Sequence, residues 1–132
     1  MILGGVAGCS EEKPAPPTLT VDETVDGQHA TFNGIGYCTI TKDGEMWVAT
    51  NAGQDNNVLI RFTKDRSGVT VMEFKNGGQQ LLQADGDGQA PLGGVTVTEQ
   101  GDTYAITGSA IDTRTQQPKQ VNAKFTCSKY DH

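Results

Sequence analysis

The chain has 132 residues, 10 basic against 16 acidic ones for a net charge of −6, and is 35% hydrophobic. That length supports one domain with one core, and basic residues scattered through an acidic chain argue against nucleic-acid binding, which needs a basic patch or stripe. No apolar run reaches the roughly 18 residues of a membrane-spanning helix, so membrane attachment has to come through a modified side chain.

The front of the chain offers one. Val6-Ala7-Gly8-Cys9 follows an uncharged apolar run and precedes Ser10 and two glutamates. An apolar residue, two small ones and a cysteine resemble a bacterial lipobox, in which a signal peptidase cuts before the cysteine and the new N-terminal cysteine is acylated. A secretory signal carries a positive region ahead of about 7–15 apolar residues, and no Lys or Arg precedes Cys9 here. The alternative is a plain cysteine in a disordered arm. On the lipobox reading, residues 1–8 are the remnant of a lipoprotein signal peptide, and residues 9–18 are an acylated Cys9 with a flexible tether. Residues 19–132 are then an extracytoplasmic β-domain. Ser10 to Thr18 is polar and proline-rich, a composition that buries too little to offset ordering entropy and favours extended geometry.

From Leu19 the apolar period is two. There are 17 glycines, and turn dipeptides recur at Asp26-Gly27, Asp43-Gly44, Asn76-Gly77, Asp85-Gly86 and Gly93-Gly94. Between them, segments rich in Val, Ile, Thr and aromatics read as strands. Leu19 to Val25 alternates Leu19, Val21 and Glu23 against Asp22 and threonines, and Ala30 to Phe32 is its return or a bulged continuation. Ile35 to Thr41 and Glu45 to Thr50 flank Asp43-Gly44 as a hairpin, since Asp-Gly between alternating runs is a strong hairpin signal. Asn57 to Thr63, Val69 to Phe74 and the weaker Gln80 to Ala84 follow. Gly94 to Glu99 has the alternation of a strand with one buried face, and Thr103 to Ile111 and Val121 to Cys127 complete the set. No stretch holds helical periodicity for three turns. The expected fold is all-β: one antiparallel β-sandwich or flattened barrel of about eight short strands.

Three cysteines are present. With Cys9 committed to lipid, Cys38 and Cys127 remain, and outside a reducing cytoplasm such a pair reads as a disulfide; two buried free thiols are the alternative. Cys127 is in phase with Val121 and Phe125, which places the bridge in the core.

Catalytic equipment is missing from the pattern, and the chain reads as no enzyme. His29 sits near a turn and His132 is the last residue. There is no Gly-x-Ser-x-Gly elbow, and Ser67, Ser109 and Ser128 occupy turn or strand positions. Asp85-Gly86-Asp87-Gly88-Gln89 faintly resembles a calcium loop but lacks its later bidentate glutamate, and Asp55-Asn56-Asn57 reads the same way. Both are solvated turns on this reading, with no metal and no cofactor expected. The aromatics, Trp47 among them, serve a core better than a ligand cavity.

The C-terminal third carries a resemblance. Gly101-Asp102-Thr103-Tyr104-Ala105-Ile106-Thr107-Gly108-Ser109-Ala110, then Pro118 and Phe125-Thr126-Cys127-Ser128, resembles the mycobacterial LpqH-type lipoprotein antigens. Val25-Asp26-Gly27, Cys38-Thr39 and Gly93-Gly94-Val95-Thr96 fit the same register, so the likeness spans about Val21 to Ser128. The resemblance implies a palmitate-type anchor at Cys9, a Cys38–Cys127 disulfide, and a non-catalytic envelope antigen sensed by host receptors; a monomer is expected. Family tethers are long, threonine-rich and glycosylated, whereas this one is short and holds only Thr18 and Thr20, a departure that leaves glycosylation open.

Two functions compete. The first is surface display or macromolecular interaction by a lipoprotein anchored to the membrane through Cys9, with host receptors or envelope proteins as partners. The second is an envelope lipid or small-ligand carrier with an apolar cavity in the β-domain.

Overall fold

Strands with one apolar face each bury those faces most completely when the sheet curls on itself. The computed structural model describes residues 17–53, 55–84, 91–127 and 130–131. Its strands are β1 (Thr18–Val25), β2 (Gln28–Ile40), β3 (Met46–Asn51), β4 (Asn56–Phe62) and β5 (Val69–Asn76), followed by β6 (Gln79–Ala84), β7 (Thr96–Gln100), β8 (Thr103–Asp112), β9 (Pro118–Thr126) and β10 (Tyr130–Asp131). Strands β1 to β6 are consecutive antiparallel neighbours; β6 passes to β8, β8 to β9, and β9 returns to β1. These eight strands form a closed antiparallel barrel, the barrel arm of the expected fold.

Closure is uneven. β9 pairs with β8 from Pro118↔Ile111 to Thr126↔Thr103 and with β1 from Val121↔Val25 to Phe125↔Val21. The opposite seam, β6 to β8, holds only Leu81↔Asp112 and Leu82↔Ile111. β7 takes the rest of that edge of β8, from Thr96↔Thr107 to Gln100↔Thr103. The buried face expected for Gly94 to Glu99 is therefore only partial. β7 stands outside the ring with one neighbour among the described residues, and Val95 and Val97 are only partly covered.

Alternate residues of the ring strands point inward, and an eight-stranded barrel is just wide enough for them to fill it. Tyr104, Phe62, Phe74, Met46, Ile60 and Met72 are among the largest buried side chains. At one end Phe62, Tyr104 and Phe125 meet with centroids 5.5, 6.0 and 5.7 Å apart, and the Tyr104 hydroxyl donates to Glu99 Oε2 at 3.0 Å. Beside them Cys38 and Cys127 form the expected disulfide, with Cα atoms 5.9 Å apart and both residues buried. β2 and β9 run parallel across the intervening β1, so their C-terminal ends come together there. β1 begins opposite Ile35, and β10 pairs in parallel with Cys38 and Thr39 on the stretch that β1 leaves open.

One difference from the sequence reading is informative. Ala30–Phe32 and Ile35–Thr41 were expected as separate runs, but β2 continues through both. Its inward positions at the bend are glycines. A Cβ on Gly34 would lie 2.1 Å from the Asn51 carbonyl oxygen, and one on Gly36 2.5 Å from that of Ala49. The missing side chains let β1 and β3 approach over β2, and the Thr50 hydroxyl donates to the Leu19 carbonyl at 3.1 Å. Glycines here turn a barrel corner rather than end a strand.

Two outcomes follow. Gly36→Ala should lower the thermal midpoint sharply, because its Cβ meets backbone that has no rotamer to adjust; an unchanged midpoint would refute the close approach. Reduction, or Cys127→Ser, should cost about 2–5 kcal/mol of stability, measured by urea unfolding with and without reductant.

Candidate functional site

The other end of the barrel is built differently. Asp26 and Gly27 have φ of 48° and 86°, the two positive values that a tight type I′ hairpin requires. This β1–β2 tip is tied to β9: the Asp26 N–H donates to the Gln120 carbonyl at 2.9 Å, and Asp26 Oδ1 accepts from the Gln120 N–H at 3.0 Å. Lys119 Nζ lies 3.6 Å from Asp26 Oδ2. Across the mouth, the β5–β6 turn is lashed to the β3–β4 turn, with the Gly77 N–H donating to the Asp55 carbonyl at 3.1 Å and to Asn56 Oδ1 at 2.9 Å. Asp55 and Asn56 thus tie one turn to the other.

Asp112 ends β8. It accepts from Gln79 Nε2 at 3.2 Å and from the backbone N–H groups of Arg114 and Thr115 at 3.0 and 3.3 Å. These bonds, the Gln79 one foremost, hold its carboxyl below the usual range.

Between the hairpins lies a recess of about 240 Å³, lined by β1, β2, the β5–β6 turn and the start of β9. Glu23 is at its base, only 2% exposed, and its Oε2 is buried without a hydrogen-bond partner among the described residues. Its ladder neighbours are Ala30 on β2 and Ala123 on β9, small residues that leave room for a carboxyl in the wall. Burial, with its loss of hydration, pushes the Glu23 pKa up to about 7.

The sequence-expected residues fall elsewhere. His29 is exposed, 3.6 Å from Asp22 on the outer wall but also at the rim of the recess. Ser67 bonds Asp65 within the β4–β5 turn, and Ser109 faces outward on β8. Cys9, Ser128, His132 and the calcium-like run Asp85 to Gln89 lie outside the described residues. Among the described residues no three His, Cys, Asp or Glu side chains group as metal ligands. Phe32, Phe62, Phe74, Tyr104 and Phe125 are core, as expected. Tyr37 and Trp47 belong to the outer face, where the Arg61 guanidinium sits 4.9 Å above the indole and 2.7 Å from Glu45.

The residue that sequence reasoning passed over is Glu23. Its signal was a carboxylate in phase with Leu19 and Val21, at a position where the alternation calls for an apolar side chain.

These features define a disulfide-braced, side-chain-filled β-barrel with a polar mouth. The family model of the Mycobacterium 19 kDa lipoprotein antigen matches residues 11–128. The chain belongs to that family, which spans the segment before β1 and the whole barrel. No curated protein matches the chain.

The titrations set a pH dependence. Between about 4.5 and 7, folded Glu23 keeps a proton that the unfolded chain has released, so its stabilising contribution is full below about 4.5 and is lost as pH rises through 7. Asp65, held at about 2 first by its Ser67 side-chain bond, and Asp112 act oppositely, their contributions fading as pH falls below about 4. The thermal midpoint should therefore be higher near pH 5 than at pH 8. Glu23→Gln should flatten that slope and stabilise the protein at pH 8 by about 2 kcal/mol; a slope unchanged in the variant would show that Glu23 is not its source.

Proposed function

We propose that this protein is a lipid-anchored cell-envelope antigen that acts without catalysis, by presenting its barrel on the extracytoplasmic face to other macromolecules, host immune receptors among them. The observation that carries display over carriage is the filled barrel. A site for an acyl chain needs an apolar chamber of a few hundred cubic ångströms. Here Tyr104, Phe62, Phe74 and Met46 occupy the interior, while the recess at the mouth is small and bordered by Glu23, Asp26, Gln28 and Lys119.

The anchor rests on Val6-Ala7-Gly8-Cys9 and on family membership. The direction of β1 suits it. The chain enters the barrel at Pro17, whose carbonyl accepts from the Gly36 N–H at 3.0 Å. The recess lies at the other end of β1, so an anchor reached through Pro17 turns the mouth away from the membrane. β7 adds an exposed strand with no second pairing among the described residues, a template for a partner that adds a strand.

Cys9→Ala should move the protein from the detergent phase to the aqueous phase in a phase-separation assay of the producing cells. Two or more acyl chains are needed for stable anchoring, and mass spectrometry of the N-terminal peptide would count them. Retention of the variant in the detergent phase would refute anchoring through Cys9.

A further inference from the structure

We propose that the recess at the barrel mouth binds a small organic cation, an ammonium or guanidinium group on a short aliphatic stem, with the Glu23 carboxylate as its counter-charge. This goes beyond the display reading and does not depend on anchoring.

The argument begins with a carboxyl whose location is costly. A charged or polar group in a barrel wall is normally paired, yet among the described residues Glu23 Oε2 has no partner, and Glu23 is one of the residues that line the recess. A core-facing β1 position would be more stable as Leu or Val. Retention of a carboxylate there makes sense if something delivered from outside completes it.

The surroundings select the sign of that ligand. From the β1–β2 turn Asp26 faces the recess, and from β9 Lys119 does, its ammonium directed to Asp26 at 3.6 Å. From β2 His29 stands at the rim, its Nε2 3.6 Å from Asp22. The β5–β6 turn contributes the neutral amides of Asn76 and Gln79, and Gln79 Nε2 is engaged by Asp112 at 3.2 Å. Among the described residues, the one basic rim residue with a fixed charge is thus matched by Asp26, and Glu23 is left over. An anion would meet two carboxylates. A hard metal ion would want six or more oxygen ligands, and the described residues hold no cluster of three candidate ligating side chains.

Shape and lining set the rest. About 240 Å³ holds a group the size of an amino-acid side chain and is too small for a lipid or nucleotide. Val25 and Ala30 offer apolar wall for a stem, and the amide oxygens of Gln28 and Asn76 offer acceptors for the remaining N–H groups. Because burial holds a proton on Glu23 near neutrality, cation binding ionises the carboxyl and releases that proton. Affinity then rises with pH between about 6 and 8.

The test uses the oxidised full chain carrying Cys9→Ser, titrated with butylguanidinium, butylammonium and the neutral isostere butylurea, and read by amide chemical shifts. Expected are shifts centred on Glu23, Ala30 and Gln79, a Kd in the millimolar range, and tighter binding at pH 8 than at pH 6. Preference for guanidinium would supply the planar fork that matches a carboxylate. Blocked arginine amide binding as well as butylguanidinium would place a protein side chain within reach of the site, whereas its exclusion would restrict the ligand to small free cations. Glu23→Gln should weaken binding at least about tenfold. Lys119→Met, at the rim, should strengthen it, and serves as the test if the Glu23 variant fails to fold. Equal response to butylurea, no response to either cation, or undiminished binding by folded Glu23→Gln would overturn the proposal.

Discussion

The barrel depends on β9. It is the last long strand in the chain, and it pairs on one side with β1 and on the other with β8. Every earlier neighbour pair from β1 to β6 is a local hairpin, which needs only a tight turn and an alternating pattern. β9 has to find both the first strand and the one just before it. Until it does, β1 has a bare edge and the inward faces of β1, β2 and β8 stand open to water. The Cys38–Cys127 bond spans 89 residues of sequence and secures the same closure from the C-terminal side of β9. Loop-closure entropy taken from the unfolded chain is largest for such long spans, so the bridge acts where the topology is least local.

The barrel's two ends divide the labour. One is sealed by the Phe62, Tyr104 and Phe125 rings with the disulfide beside them, an arrangement that rewards burial and favours a single packing. The other is held by hydrogen bonds between turns: Asp26 with Gln120, Asn56 with Gly77, Asp112 with Gln79. Such bonds fix the positions of the hairpins without filling the space between them, and the recess is what remains. Glu23 sits at the boundary between the two regimes. Its carboxyl costs stability in the ionised form because it lies in the apolar wall, yet it also gives the mouth a chemical character that a fully apolar barrel would lack. A stable body with one deliberately costly group is the pattern expected where function opposes stability.

Much of this was legible in the sequence. The strand ends flanking Asp43-Gly44, the alternation in Asn57 to Thr63 and Thr103 to Ile111, and the in-phase placing of Cys127 all follow from local rules, and the structure matches them within a residue or two. Where local reading went astray, the cause is a contact made elsewhere. Asn33-Gly34 looks like a break between two runs because glycine breaks strands in isolation, while Gly36 falls inside the expected run Ile35 to Thr41. The two glycines are a corner because β3 passes within reach of where their side chains would be. Val95 and Val97 look like a buried face because they alternate, but burial requires a strand or layer on the far side, and β7 has none among the described residues. Glu23 was visible as a misfit in a weak pattern, but only the barrel gives that misfit a meaning, by putting Ala30 and Ala123 beside it and a recess in front of it.

By itself the sequence determined the all-β class, the strand spacing and the family likeness. These rest on period, turn chemistry and residue identity, which are properties of neighbouring positions or of short motifs. Tertiary structure alone decided that the sheet closes, that the interior is filled rather than hollow, and that the hairpins at one end enclose a polar recess. Those outcomes depend on which strands meet across long stretches of chain and on how side-chain volumes add up inside a ring. No local pattern encodes either quantity.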